Sequence, residues 1–142
     1  MKVFEMEHRV GYAETDAMAV VHHSNYIRWF EMGRVDLLRK IGYPYSDLEK
    51  MGVWIPVINV DCQYKTPAVF DDVVIIRTWV EKMKGVSIYM GYEIIKKETG
   101  EVCVTGSTGH AITDPDLKPL RLKRQFPEMY EKMVELATEE EA

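Results

Sequence analysis

The spacing of apolar residues changes its period near residue 53, and this change constrains the fold more than any other feature of the chain. Between residues 25 and 41 the apolar side chains recur every three or four positions, as they do on one face of an α-helix. They are Tyr26, Trp29, Phe30, Gly33, Leu37 and Ile41. Ser24 or Asn25 is suited to cap the start of this helix. Glycine weakens a helix, so Gly33 on the apolar face predicts that another part of the chain packs closely there.

After residue 53 the apolar residues alternate, which is the period of a β-strand. We predict an early strand over residues 3–12, later strands over 53–66, 72–83, 86–97 and 101–113, and a closing helix over 128–137. Pro56 is typical of an edge or bulge position, and Gly106 and Gly109 again suggest close packing. The order predicts an α+β fold in which an antiparallel sheet covers one long helix.

Neither a repeat nor a linker interrupts residues 1–142, so we predict a single domain. One helix covers only part of a sheet of this size, and the remaining sheet surface needs a partner. We therefore expect a homo-oligomer, at least a dimer.

The composition argues against several classes of protein. The chain has 142 residues, of which 46% are hydrophobic, and a formal net charge of -5, which argues against a nucleic-acid partner. Cys62 and Cys103 have no CxxC partner and are expected to be buried, reduced thiols. The longest stretch without Asp, Glu, Lys or Arg, residues 102–113, is too short for an integral membrane segment. The N-terminus lacks the apolar region of a signal peptide, so we expect a cytoplasmic protein.

Asp16 is the most unusual charged residue of the chain. Small and apolar residues follow it, and no lysine or arginine occurs between Asp16 and Arg28. Such a carboxylate either points into water, as a turn or helix-cap aspartate, or is held in a cleft. Unpaired backbone N–H groups at a helix start favour negative charge. If Asp16 is held in a cleft beside the helix that follows, it therefore lies near groups that can bind a developing negative charge.

Three stretches resemble a known family: YAETDAMAVVHHSNYIRWFE (residues 12–31), YKTPAVFDDV (64–73) and KMKGVS (82–87). They resemble the hotdog-fold acyl-CoA thioesterases of the 4-hydroxybenzoyl-CoA thioesterase family, and in particular its Tol-Pal-associated branch. The resemblance runs from about residue 7 to about residue 125. It implies a long central helix wrapped by an antiparallel sheet, a dimer that pairs two sheets edge to edge, and often a dimer of dimers, so that a tetramer is the expected assembly. The family often has glycines where Met18 and Ala19 stand.

The resemblance also implies roles for individual residues. Asp16 would be the nucleophile or the general base, and the backbone N–H of His23 would stabilise the oxyanion. Val21, Tyr26 and Trp54 would bind the acyl group, Trp54 reaching it from a partner subunit. Lys82 and Lys84 would contact the phosphates of coenzyme A. The family needs no cofactor, and the chain has no HxxxH, HExxH or CxxC pattern, so we expect no metal.

Two alternatives are compatible with the same residues. An acyl-thioester hydratase or dehydratase would use Asp16 with His22 or His23. A non-catalytic acyl-CoA binding protein would retain the ligand without turnover. The sequence leaves the acyl group open, as well as the choice between coenzyme A and acyl carrier protein as its carrier.

Overall fold

The computed structural model describes residues 1–138 as an antiparallel sheet wrapped around a long helix. The strands are β1 (Phe4–Arg9), β2 (Val57–Tyr64), β3 (Val73–Met83), β4 (Ser87–Lys96) and β5 (Val102–Ala111). The helices are α1 (Ser24–Lys40), α2 (Tyr45–Met51), α3 (Leu122–Gln125) and α4 (Pro127–Thr138), and a 3₁₀ turn at Tyr12–Glu14 precedes α1. The predicted long helix, the five strands and the α+β class are confirmed.

The five strands form one sheet in the order β1-β3-β4-β5-β2. Every neighbouring pair is antiparallel. The two strands nearest to α1 in sequence, β1 and β2, therefore lie at opposite edges of the sheet. The consecutive strands β3, β4 and β5 form its centre.

Helix α1 packs closely on the inner face of the sheet because two glycines remove side chains at the contact. A Cβ atom at Gly33 would collide with the side chains of Ile76 and Thr78 on β3. The Phe30 ring stacks on the Tyr92 ring with the centroids 4.3 Å apart. A Cβ at Gly106 would lie 2.6 Å from that Phe30 ring. The close packing predicted at both glycines is confirmed.

Helix α4 covers a further part of the same inner face. Its buried residues are Met129, Met133 and Leu136. Met129 and Met133 surround a small apolar space together with Met83, Ile88 and Ile112 from the sheet and the segment after it. The closing helix thus contributes directly to the core, which α1 alone does not complete.

A chain of polar side chains crosses this core. Nη1 of the buried Arg34 donates to the Tyr92 hydroxyl at 3.1 Å. Tyr92 and Thr108 share a hydrogen bond of 2.7 Å, and Thr108 contacts Nε2 of His110 at 2.7 Å. Nδ1 of His110 lies 3.2 Å from the carbonyl oxygen of Ile55. The chain connects α1, through β4 and β5, to the segment that leads into β2.

The two edge strands differ in how they meet solvent. β1 is short and carries charged residues at Glu5, Glu7 and Arg9, which discourage pairing with another strand. Seven of the eight residues of β2 are exposed, and Ile58 is 59% exposed. An apolar edge of this kind is a template for pairing with a further strand.

Candidate active site

Asp16 lies in a tight hairpin between the 3₁₀ turn and α1. Thr15 and Val21 form an antiparallel bridge. Inside it the Asp16 N–H donates to the Val20 carbonyl at 2.9 Å, and the Ala19 N–H donates to the Asp16 carbonyl at 3.0 Å. Ala19 has a φ of 65°, in the left-handed region that favours glycine. A glycine at the position of Ala19, as the resemblance implies, would adopt this φ without strain, whereas the φ of Met18 is not positive.

The hairpin is fixed to the segment before β3. The Val21 N–H donates to the Ala68 carbonyl at 2.9 Å, and Val20 forms a bridge with Val69. The hydroxyl of Tyr26, on the first turn of α1, accepts a hydrogen bond from the Ala68 N–H at 3.0 Å. Burial raises the pKa of this hydroxyl, so Tyr26 is neutral and its proton is available to a ligand. These bonds hold the hairpin against α1.

A cavity of about 240 Å³ opens beside the hairpin. Four of the predicted site residues line it, namely Asp16, Val21, His23 and Tyr26. The other lining residues are Met18, Val20, Tyr64, Lys65, Thr66, Pro67 and Cys103. The structure therefore places the carboxylate, the start of α1 and an apolar wall around one space.

The Asp16 carboxylate is both a turn residue and a cavity residue. Its Oδ1 accepts a hydrogen bond from the Met18 N–H at 2.8 Å, which is a local turn contact. Within residues 1–138 the carboxylate makes neither another hydrogen bond nor an ion pair. One oxygen is thus fixed by the backbone, and the other remains available to a ligand in the cavity.

The backbone N–H of His23 differs from those of His22, Ser24 and Asn25 in its hydrogen bonding. The His22 N–H donates to the Glu14 carbonyl and the Asn25 N–H to the His22 carbonyl, both at 2.9 Å. The Ser24 N–H donates to Nδ1 of His22 at 3.2 Å. In the described part of the chain the His23 N–H has no acceptor. It is a free donor at the positive end of the α1 dipole, as an oxyanion site requires.

His23 occupies the N-cap position of α1 and makes no side-chain capping hydrogen bond. The residue before it, His22, contacts Ser24, the first residue of the helix. Its Nδ1 lies 2.8 Å from Oγ of Ser24 in addition to the bond with the Ser24 N–H. Neither Ser24 nor Asn25 caps the helix, so that prediction was wrong. His22 does not line the cavity, whereas His23 does.

The sequence did not identify Glu14 as a site residue. Its carboxylate accepts hydrogen bonds from the Gly11 N–H at 2.8 Å and the Trp29 indole at 2.7 Å, and Nε2 of His8 lies 2.9 Å away. Partial burial alone would raise the pKa of Glu14, but the hydrogen bonds outweigh it and lower the pKa. The only signal in the sequence is an acidic residue two positions before Asp16.

The two cysteines are free, and Cys103 is buried at the cavity wall. Burial raises the pKa of the Cys103 thiol to about 11, so the thiol is protonated at neutral pH. Burial also raises the pKa of Cys62. Since the thiolate is the reactive form, neither cysteine competes with Asp16 as a nucleophile.

Three predicted substrate-binding residues lie at the other end of the sheet. Asp16 is close to the start of β3, whereas Lys82 pairs with Tyr89 at its far end. The eleven residues of β3 span about 30 Å at the usual rise per residue. Lys84 lies in the β3–β4 turn, and Trp54 forms a bridge with Thr113 near the start of β2. One protomer does not bring Trp54, Lys82 and Lys84 to its own Asp16.

Residues 1–138 have neither a metal-binding cluster nor a membrane-spanning helix. No three side chains of His, Cys, Asp or Glu are close enough together to hold a metal ion. None of the helices in this part of the chain has the length and apolar character needed to cross a membrane.

Comparison with known proteins places the chain in a family. The family model described as "Thioesterase-like superfamily" matches residues 10–135. The chain belongs to this superfamily. The crystal structure of a DHNA-CoA thioesterase from Staphylococcus aureus superposes with a TM-score of 0.89 at 38% identity, covering 95% of this chain and 91% of that one. This superposition confirms the predicted hotdog fold.

Two relatives of this chain are named as acyl-CoA thioesterases or thioester hydrolases, in agreement with the superfamily assignment. A putative acyl-CoA thioesterase, YneP, of Bacillus subtilis is 37% identical over 131 residues, covering 92% of this chain and 94% of the relative. The acyl-CoA thioester hydrolase YbgC of Escherichia coli O157:H7 is 31% identical over 96 residues, covering 68% and 72%. The Tol-Pal-associated branch in particular stays a prediction.

Proposed function

We propose that this protein is an acyl-CoA thioesterase with its catalytic centre at Asp16. The observation that carries the proposal is that a carboxylate and an N–H group without an acceptor, that of His23, lie at one cavity. Thioester hydrolysis needs both an attacking oxygen and a donor for the charge that develops on the carbonyl oxygen. The names of the relatives from B. subtilis, E. coli and S. aureus support the same reaction.

Two routes are consistent with this arrangement. In the first, an Asp16 oxygen bonds to the carbonyl carbon, the C–S bond breaks, and the thiolate leaves and takes a proton from water. Water then hydrolyses the mixed anhydride to the free acid and restores the carboxylate. In the second, Asp16 takes a proton from water, the hydroxyl bonds to the carbonyl carbon, and the proton passes to the departing sulfur. The His23 N–H stabilises the oxyanion in both routes.

The site is completed by a second copy of the chain in this proposal. The exposed edge of β2 pairs with β2 of the partner subunit around a two-fold axis. Because this pairing is antiparallel, the start of one β2 lies near the end of the other. Trp54 of the partner subunit then reaches the acyl cavity, and Lys82 and Lys84 of the partner subunit approach the coenzyme A phosphates. A tetramer would form from two such dimers.

The cavity favours a flat, aromatic acyl group. The ring centroids of Tyr26 and Tyr64 lie 5.7 Å apart at the wall of the cavity. Val20 and Val21 add apolar surface to the same wall. Aromatic rings bind other aromatic rings through stacked and edge-to-face contacts. The S. aureus neighbour is named for an aromatic acyl-CoA, which supports this choice.

The proposal is tested by measuring thiol release over a panel of acyl-CoAs that contains aromatic, short aliphatic and long aliphatic members. We expect thiol release from the panel, with higher kcat/KM for the aromatic members. Hydration of an enoyl-CoA is followed in parallel, because Asp16 and His23 share the cavity and a hydratase would use such a pair. Hydration without thiol release would contradict the proposal, and tight binding without either reaction would indicate a binding protein.

A further inference from the structure

The carboxylate of Glu14 connects three elements around the hairpin that carries Asp16. It accepts from the Trp29 indole N–H on α1, from the Gly11 N–H before the 3₁₀ turn, and it contacts His8 on β1. Nε2 of His8 lies 2.9 Å from one oxygen and 3.2 Å from the other. Hydrogen bonds to an ionised acceptor are shorter and stronger than neutral ones. The side chain therefore fixes the turn against both the sheet and the helix.

The main chain of Glu14 makes a second set of contacts. Its carbonyl oxygen accepts from the His22 N–H at 2.9 Å and from the Asn25 side chain at 2.8 Å. Asp16 is two residues further along the chain, and His23 directly follows His22. The same residue is thus two positions from Asp16 along the chain and is hydrogen-bonded to His22, the neighbour of His23.

This position has a consequence for the reaction. Catalysis by Asp16 requires its carboxylate and the His23 N–H to hold the two ends of one carbonyl group. A displacement of about 1 Å between such groups can cost roughly 10²-fold in rate. The hairpin itself is closed only by the Thr15–Val21 bridge and the bonds within it. Its orientation towards α1 depends on contacts from outside. Ala68 supplies some of them, through Val21 and Tyr26. Glu14 supplies others, which join the turn before Asp16 to His22 and to Trp29.

We propose that Glu14 is a positioning residue that sets the separation between the Asp16 carboxylate and the His23 N–H. This inference rests on the proposed thioesterase function. Trp29 is its main partner, because the indole N–H joins the Glu14 carboxylate directly to α1 at 2.7 Å. Glu14 touches neither the cavity nor the substrate in this account, and it acts through Asp16 and His23.

The test is the measurement of kcat and KM for thiol release by Glu14→Gln, Trp29→Phe and the double variant. Glutamine keeps one acceptor but places an amide N–H against the surrounding donors. Phenylalanine keeps an aromatic ring, smaller than the indole of the buried Trp29, and removes the indole N–H. We expect kcat to fall by roughly 10²-fold in Glu14→Gln with KM near that of the parent. Trp29→Phe should lower kcat in the same direction. The double variant should fall no further than Glu14→Gln, since both changes break one bond.

Two controls separate positioning from folding. Glu7→Gln makes the same charge change on β1, where Glu7 forms an exposed ion pair with Lys97 at 2.7 Å, and it should keep the parent kcat. Met133, which is buried in α4, lies away from the site, so Met133→Ala should lower the melting temperature and keep the parent kcat. If Glu14→Gln keeps the parent kcat, raises only KM, or loses rate only to the extent that Met133→Ala does, the inference is overturned.

The outcomes also distinguish this inference from the proposed function. An active parent, an inactive Asp16→Asn variant and an unaffected Glu14→Gln variant would overturn the role of Glu14 alone. A parent that releases no thiol would overturn the proposed function and this inference with it.

Discussion

His110 shows how burial sets the protonation of a single residue. A carbonyl oxygen can only accept, so the contact with Ile55 requires a proton on Nδ1, and Nε2 then accepts from the Thr108 hydroxyl. The hydrogen bonds run in one direction, from Arg34 through Tyr92 and Thr108 to His110 and the Ile55 carbonyl. Burial, together with the positive charge of Arg34, lowers the pKa of His110 to about 4. The histidine is neutral in the folded protein.

We predict that His110 makes the protein less stable in mild acid. The ordinary pKa is 6.5 and the folded value is about 4, so the unfolded chain binds the proton first as the pH falls. The stabilisation is complete above pH 6.5 and is lost progressively towards pH 4, by roughly 3 kcal/mol in total. The measurement is the free energy of unfolding between pH 7 and pH 4 for the parent and for His110→Gln. The parent should show the steeper decline, and equal slopes would contradict the prediction.

At the scale of helices and strands, most of the architecture could be predicted from hydrophobic period alone. The helix predicted over 25–41 is α1 at Ser24–Lys40, and the strand predicted over 72–83 is β3 at Val73–Met83. The strand predicted over 53–66 is shorter, because regular pairing begins only at Val57, after Pro56, with a bulge between Val57 and Asn59. Proline cannot donate to the ladder, so periodicity alone overestimates the strand there.

The candidate site could be predicted only where it is local in sequence. Asp16, Val21, His23 and Tyr26 come from one continuous stretch, and a motif can identify such a stretch. Tyr64 and Cys103 reach the same cavity because β2 pairs with β5, which brings Lys65 next to Cys103 through a backbone bond of 2.8 Å. No pattern within either strand indicates that pairing. The role of Glu14 depends in the same way on contacts with β1 and α1.

At the scale of the whole molecule, the separation of Asp16 from Lys84 favours a site shared between two chains. They lie at opposite ends of a strand of eleven residues, and the exposed β2 edge offers the surface for pairing. The short, charged β1 edge does not. We therefore propose that the partner subunit supplies the coenzyme A contacts of each site.

This arrangement predicts the behaviour of mixed oligomers. Lys84→Ala should raise KM for acyl-CoA but not for a truncated thioester without the phosphates, since the lysine contacts only those groups. Mixing and re-associating Lys84→Ala with Asp16→Asn should create one site per mixed dimer that has both native residues. Steady-state kinetics of the mixture should then show a component with the parent KM. A mixture that retains only the raised KM would contradict a shared site, and equal losses with both substrates would argue against phosphate contact.

The most direct test of the central claim is the rate of thiol release by Asp16→Asn. The substitution keeps the size of the side chain and removes its charge, so the variant should fold, associate and bind acyl-CoA as the parent does. If Asp16 supplies the attacking oxygen or takes the proton from water, kcat should fall by at least about 10²-fold, the lower end of what general base catalysis contributes. A variant that releases thiol at the parent rate would show that the thioester is cleaved without this carboxylate.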